Sequence, residues 1–195
     1  MRFIGFYDYT VILTYMSLVS ALLGMRCASH GRFGLAVGCL VLSGICDMFD
    51  GMVARSKKNR TADEKNFGIQ LDSICDVIAF GVAPAVLLYF YGANTAIGVA
   101  AMVFYVLCAL IRLAFFNVLE INRQMHEDGC AKEYRGLPVT SSSILLPIAF
   151  LVGLALPAAV NRVIAHVLPV VIGFLFILDF RIPKIDLAKV LSGKK

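Results

Sequence analysis

The chain has 195 residues, 59% hydrophobic and 16% charged, with a mean hydropathy of +0.82 and a formal net charge of +5. These values exclude a disordered chain, which needs low hydrophobicity and high charge, and an ordinary water-soluble domain, in which about 25% of residues are charged. The positive balance suits a protein beside anionic headgroups. It does not suggest nucleic-acid binding, because the basic residues lie in short loops between apolar runs.

Phe3, Phe6, Tyr7 and Tyr9 come first and are expected to lie in the membrane interface as a brief amphipathic lead-in. Apolar runs of about 17–25 residues are candidate spanning helices, and six follow: Thr10–Met25, Phe33–Ala54, Gly68–Tyr91, Thr95–Leu119, Leu137–Leu156 and Arg162–Phe180. The predicted architecture is therefore all-α, a polytopic membrane protein with six transmembrane helices, with residues 1–195 as one membrane domain. The first run has no small-residue cleavage site after it and reads as a retained segment, not a signal peptide. Pro84, Pro147, Pro157 and Pro169 fall in or at the ends of runs, where neighbours must satisfy the carbonyls they free. The six cysteines form no Cys-x-x-Cys pair and read as reduced thiols. His30, His126 and His166 lie in or near loops and read as surface or interfacial residues.

Six spans put both termini on one side, and that side collects 14 of the 18 Lys and Arg residues. Arg26, Arg32 and Arg162 lie opposite, and Arg112 falls within the fourth run. This asymmetry predicts an integral membrane protein with both termini and the 55–67 and 120–136 loops in the cytoplasm.

Four carboxylates occupy the cytoplasmic ends of the second and third runs: Asp47, Asp50, Asp72 and Asp76. Ionisable residues within spans are costly and mark function by default. Asp47, Asp50, Gly51 and Ala54 share one helical face by their spacing, as do Gly68, Asp72 and Asp76. The intervening loop is short, so the two helices are expected to be antiparallel neighbours with their acidic pairs at similar depth. Such charges need compensation, and an all-oxygen ligand set points to Mg²⁺ or Mn²⁺, with Ca²⁺ as a further possible ion. Gly51, Ala54 and Gly68 either leave room for a bulky group beside the metal or permit close helix packing.

The spacing Asp47-x2-Asp50-Gly51-x2-Ala54-Arg55, then Gly68-x3-Asp72-x3-Asp76, resembles the eight-position signature of the CDP-alcohol phosphatidyltransferase family. Twelve residues, Ser56–Phe67, separate its halves where the family usually has eight; the extra turn is expected in the loop. Within that family, Phe67–Ala85, Ile-Arg-Leu-Ala-Phe-Phe-Asn at 111–117 and Tyr-Arg-Gly-Leu-Pro-Val-Thr at 134–140 look like the phosphatidylserine synthase branch. That branch commonly has a second Arg where this chain has Phe115.

The resemblance implies an active site facing the cytoplasm, a CDP-diacylglycerol donor and L-serine as acceptor. It also implies two divalent cations on Asp47, Asp50, Asp72 and Asp76, general-base catalysis by Asp76, and a homodimer. It implies that the CDP-lipid lies against Asp47, Asp50, Gly51, Ala54, Arg55, Gly68 and Asp72. The serine carboxylate needs a cation, for which Arg112 is the first candidate; Asn117, Arg135 and Thr140 are others near the same mouth. Ser141, Ser142 and Ser143 read as helix-packing hydroxyls. Two alternatives stand beside this reading: a relative using glycerol 3-phosphate or an inositol phosphate, and, from a different class, a carboxylate-based cation transporter.

Overall fold

The computed structural model describes residues 5–7, 9–57, 61–125 and 133–183, with backbone alone for 54–56, 122–125, 133–135 and 181–183. A 3-10 turn, Tyr9–Val11, leads into α1 (Ile12–Ser29), and α2 (Phe33–Ser56) follows after a three-residue turn. Next comes one continuous helix in three parts: α3 (Ala62–Asp76), a π-helical turn (Val77–Val82) and α4 (Ala83–Tyr91). The 30-residue α5 (Ala96–Met125) is followed by a 3-10 turn at Val139–Ser141, α6 (Ser142–Gly153) and α7 (Ala158–Ile177). The non-helical pairing among the described residues is a short antiparallel ladder of β1 (Glu133–Arg135) with β2 (Arg181–Pro183).

Among the described residues, five helical segments are long and apolar enough to cross a membrane: Tyr9–Ser29, Phe33–Val53, Ala62–Tyr91, Ala96–Ile121 and Ala158–Ile177. The expected count of six is not reached on that criterion. The remaining apolar helix, Val139–Gly153, is shorter, and at 1.5 Å per residue it covers about 22 Å of a core about 30 Å thick. Pro138 holds an extended conformation before it, and Ser141 Oγ donates to the Pro138 carbonyl at 2.6 Å. Asn161 Nδ2 caps its far end by donating to the Gly153 carbonyl at 2.7 Å. The last long helix starts earlier than expected, at Ala158, because Pro157 supplies a preset turn in front of it.

The third span also starts early. The stretch expected as a polar loop is helical from Ala62, because Thr61 and Glu64 form a capping box. Glu64 N donates to Thr61 Oγ1 at 3.2 Å, and Thr61 N donates to Glu64 Oε2 at 3.0 Å. Residues 62–67, within the stretch that separates the two halves of the signature, are therefore helix and not loop. Of the N-terminal aromatics, Phe6 follows Gly5, which has a φ of +118°, and packs edge-on against Phe67 with ring centroids 5.5 Å apart, and Tyr9 opens the 3-10 turn. Phe3 lies outside the described residues.

Small residues and hydroxyls bring the helices together, as expected where lipid supplies no hydrophobic drive for association. The buried face of α1 reads Thr14, Ser17, Ser20, Ala21, Gly24 and Ala28. The Ser17 and Ser43 hydroxyls are 2.7 Å apart, and Ser20 Oγ donates to the Cys39 carbonyl at 2.8 Å. A Cβ at Gly24 would lie 3.1 Å from the Cys39 Cβ. The largest fully buried side chains include Phe80, Tyr105, Ile172 and Phe176, where α5 packs on the π-helical turn and on α7. Large apolar residues such as Ile97, Leu154 and Val163 are exposed on the outside, the pattern of a protein whose outer solvent is lipid. Cys27, Cys39, Cys46, Cys75 and Cys108 are free thiols, while Cys130 and His126 lie outside the described residues. His30 is exposed in the turn after α1, as expected, whereas His166 is half-buried within α7 and not in a loop, its Nε2 2.7 Å from Thr95 Oγ1.

Helices approach closely at Gly44, where a Cβ would run into Ser143 Oγ and lie 2.6 Å from its Cβ. Gly44→Ala is expected to destabilise the protein by about 1–3 kcal/mol, read as a lower melting temperature in detergent. Gly38→Ala, with nothing within 4 Å, should not lower it. Equal melting temperatures for the two variants would remove the close-contact reading.

Candidate active site

α2 and α3 are consecutive and joined by a short connection, and each presents its acidic residues on a shared face. Carboxylate oxygens of Asp47, Asp50 and Asp72 all lie within 4.8 Å of one another. Asp76 completes the group: its side chain meets that of Asp47, while Asp50 meets Asp72. Asp50 and Asp76 are buried and Asp47 and Asp72 are half-buried. The expected convergence of the two acidic faces is therefore present, with α1 packed against both α2 and α3.

The site has an acceptor left over. Asp72 Oδ1 is buried and has no hydrogen-bond partner among the described residues. Buried polar atoms normally have partners, and a buried carboxylate oxygen among other carboxylates is most simply matched by a cation. The dimensions agree. Oxygens on opposite sides of one divalent ion stand about 4.2 Å apart for Mg²⁺ and about 5 Å for Ca²⁺, so oxygens within 4.8 Å of one another fit a single coordination sphere. Asp76 beside Asp47 adds further carboxylate oxygens to the group.

Three neighbours shape the group. Thr14, on α1, donates its hydroxyl to Asp50 Oδ2 at 3.1 Å. Ser73, beside Asp72, donates to Asn117 Oδ1 on α5 at 2.8 Å. The π-helical turn begins immediately after Asp76, and π-turns often accompany functional positions. Thr14 and Ser73 were not legible from the sequence. Each is an ordinary small polar residue in an apolar run, and only its partner on another helix gives it a role.

A comparison with family models matches residues 9–179 to the model described as CDP-alcohol phosphatidyltransferase. The chain belongs to the CDP-alcohol phosphatidyltransferase family. It is therefore a member of a transferase family that generally depends on divalent cations. It is 35% identical, over 89% of its length and 74% of the relative's, to a protein of Methanocaldococcus jannaschii named CDP-diacylglycerol–serine O-phosphatidyltransferase. A Helicobacter pylori protein of the same name is 34% identical over 74% of this chain and 58% of the relative, so the chain spans little more than half of that protein. A Methanothermobacter thermautotrophicus protein named archaetidylserine synthase is 29% identical over 90% of this chain and 69% of its own length. No solved structure gives a significant match.

Against the family signature, Gly51 and Gly68 are half-buried on the helices that carry the aspartates. The side chains of Ala54, Arg55 and Arg135 lie outside the described residues, although the helical backbone runs through 54 and 55. Arg112 is 7% exposed. Its Nε donates to the Leu137 carbonyl at 3.3 Å, and its guanidinium stands 5.7 Å from the Phe116 ring centroid. Two bonds set its level: Ser73 meets Asn117, and the Phe80 carbonyl meets Tyr105. Asp76 lies between the first pair's and second pair's positions on one helix, and Arg112 lies between them on the other. Arg112, Asn117 and Asp76 thus occupy one stretch of the same helix pair. Phe115 is exposed. Thr140 accepts from Ser143 Oγ through its carbonyl at 2.7 Å, and Ser142 packs between helices as its sequence context suggests.

Thr14 gives a test of the site that is independent of turnover. Thr14→Val should weaken Mn²⁺ binding by about 10-fold, the lower end for loss of a residue that orients a ligand, while Thr14→Ser should retain it. Titration of Mn²⁺ against purified protein measures both. Unchanged affinity in Thr14→Val would separate this hydrogen bond from the metal site.

Proposed function

We propose that the protein transfers the phosphatidyl group of a CDP-activated glycerolipid to L-serine, giving a phosphatidylserine-type lipid and CMP. The observation that carries this reading is the convergence of four aspartates from α2 and α3 around a buried, unpartnered carboxylate oxygen, within a family whose similar members bear serine-transferase names. Asp47, Asp50, Asp72 and Asp76 would hold two Mg²⁺ or Mn²⁺ ions. When bound, such ions neutralise charge on the donor diphosphate and on the departing CMP.

The remaining chemistry belongs to the chain's own residues. Asp76 takes the proton from the serine hydroxyl as that oxygen forms a bond to the phosphorus bearing the diacylglycerol. The bond from that phosphorus to the bridging oxygen breaks, and CMP leaves with its electron pair. Positioning carries most of such a displacement, and no covalent enzyme intermediate is required. Gly51, Ala54 and Gly68 leave room for the nucleotide against the helices, and Arg55 contacts its phosphate. Arg112 receives the serine carboxylate, for which a planar guanidinium offers two parallel donors. Its Nε contact with Leu137 O orients that fork. Asn117 and Arg135 complete the acceptor side.

The decisive assay combines purified protein, Mn²⁺ or Mg²⁺, CDP-diacylglycerol or its ether-linked counterpart, and a panel of labelled alcohols. CMP and a serine lipid are the expected products, and EDTA should abolish both. Asp76→Asn should lower turnover about 10²–10⁴-fold, and Arg112→Ala should raise the KM for serine far more than that for the lipid. Release of CMP only with a phosphorylated alcohol would reassign the acceptor. Metal flux without CMP would favour a transporter. Equal KM changes in Arg112→Ala would return that residue to a structural role.

We further propose that α6, although short, is the sixth crossing, which places both termini and the 14 basic residues of that side in the cytoplasm together with the active site. The protein would act as a homodimer. A cysteine introduced at Asn59 should resist an impermeant thiol reagent applied outside intact cells; ready labelling would reverse the orientation.

A further inference from the structure

The helix that carries Asp72 and Asp76 changes its winding at the residue after Asp76. From Val77 to Val82 it is π-helical, and Ala83 N donates to the Ile78 carbonyl five residues back. One additional residue per turn rotates everything beyond it by about 100°. The acidic residues can then face the site while Ala79, Phe80 and Ala83 face the core, where all three are buried. Pro84 follows, and it has no N–H to return to the Phe80 carbonyl. That carbonyl is instead held from two other helices: Tyr105 Oη on α5 donates to it at 2.5 Å, and Ser142 Oγ on α6 donates at 3.2 Å. Tyr105 is 1% exposed, and Phe80 and Ser142 are fully buried. An aromatic hydroxyl deep in an apolar core is costly unless paired, and here the pairing falls on the one turn whose winding departs from the rest of the helix.

We propose that Tyr105 and Ser142 are positioning residues for Asp76. By clamping the Phe80 carbonyl they hold the π-helical turn, and the turn sets where the Asp76 carboxylate stands relative to Asp47. This rests on the reading of Asp76 as metal ligand and base. Neither hydroxyl touches substrate.

The test is the double variant Tyr105→Phe with Ser142→Ala, alone and combined with Asp76→Asn, in full-length purified protein. Mn²⁺ binding, followed by the EPR signal of free Mn²⁺, should weaken about 10-fold in the double variant. The kcat should fall by about the same factor, with KM for donor and serine within two-fold. In the Asp76→Asn background the same two substitutions should add nothing further, because they act through that carboxylate. Unchanged Mn²⁺ affinity and kcat in a folded double variant would overturn the proposal, as would effects that multiply with Asp76→Asn. If the double variant does not fold, the two single variants give the same judgement through smaller shifts in the same quantities. Failure of the wild type to release CMP would refute the functional reading instead, while Mn²⁺ binding would still decide the positioning role.

Discussion

Four carboxylates on two membrane helices repel one another, and the surrounding protein cannot leave them uncompensated at that depth. Much of the architecture can be understood from this constraint. α2 and α3 bring the acidic faces together over a short connection. α1 supplies the Thr14 hydroxyl to Asp50, and α5 holds Asn117 against the residue after Asp72. The unpartnered Asp72 oxygen marks where the protein's own hydrogen bonding stops and a cation fits.

The rest of the bundle is polar in the places where helices must be held in register. Serines join α1 to α2, and a serine and a tyrosine hold the carbonyl that Pro84 cannot serve. In lipid such bonds have no competition from water, and small side chains let the backbones approach closely enough to form them. The same device settles the proline question for the third span: the freed carbonyl is satisfied from neighbouring helices. The result is a single helix that presents charge at one end and an apolar surface at the other.

A phosphatidyltransferase has to bring a water-soluble alcohol to a lipid-borne diphosphate. Carboxylates gathered from two long apolar helices, with small residues beside them, bring cation-ligand oxygens together while the outer apolar surface suits the bilayer. Family membership and the geometry agree on this division of labour. Arg112 adds a buried cation at the level of Asp76, held by a backbone carbonyl.

The sequence alone determined that the chain lives in a membrane, that Asp47, Asp50, Asp72 and Asp76 share a site, and which family signature they spell. These follow from hydropathy and helical periodicity, which are local properties of the chain. The Thr61–Glu64 capping box was equally local and equally readable, yet the polar composition around it reads as loop. The tertiary structure alone decided that Val139–Gly153 is shorter than a typical span, that Thr14 serves Asp50, that Ser73 serves Asn117, and that Tyr105 and Ser142 share one carbonyl. A lone hydroxyl in an apolar run has the same local pattern whether it faces lipid, backbone or a carboxylate. Its partner comes from a helix 25 to 62 positions away in these cases, and only packing brings the two together.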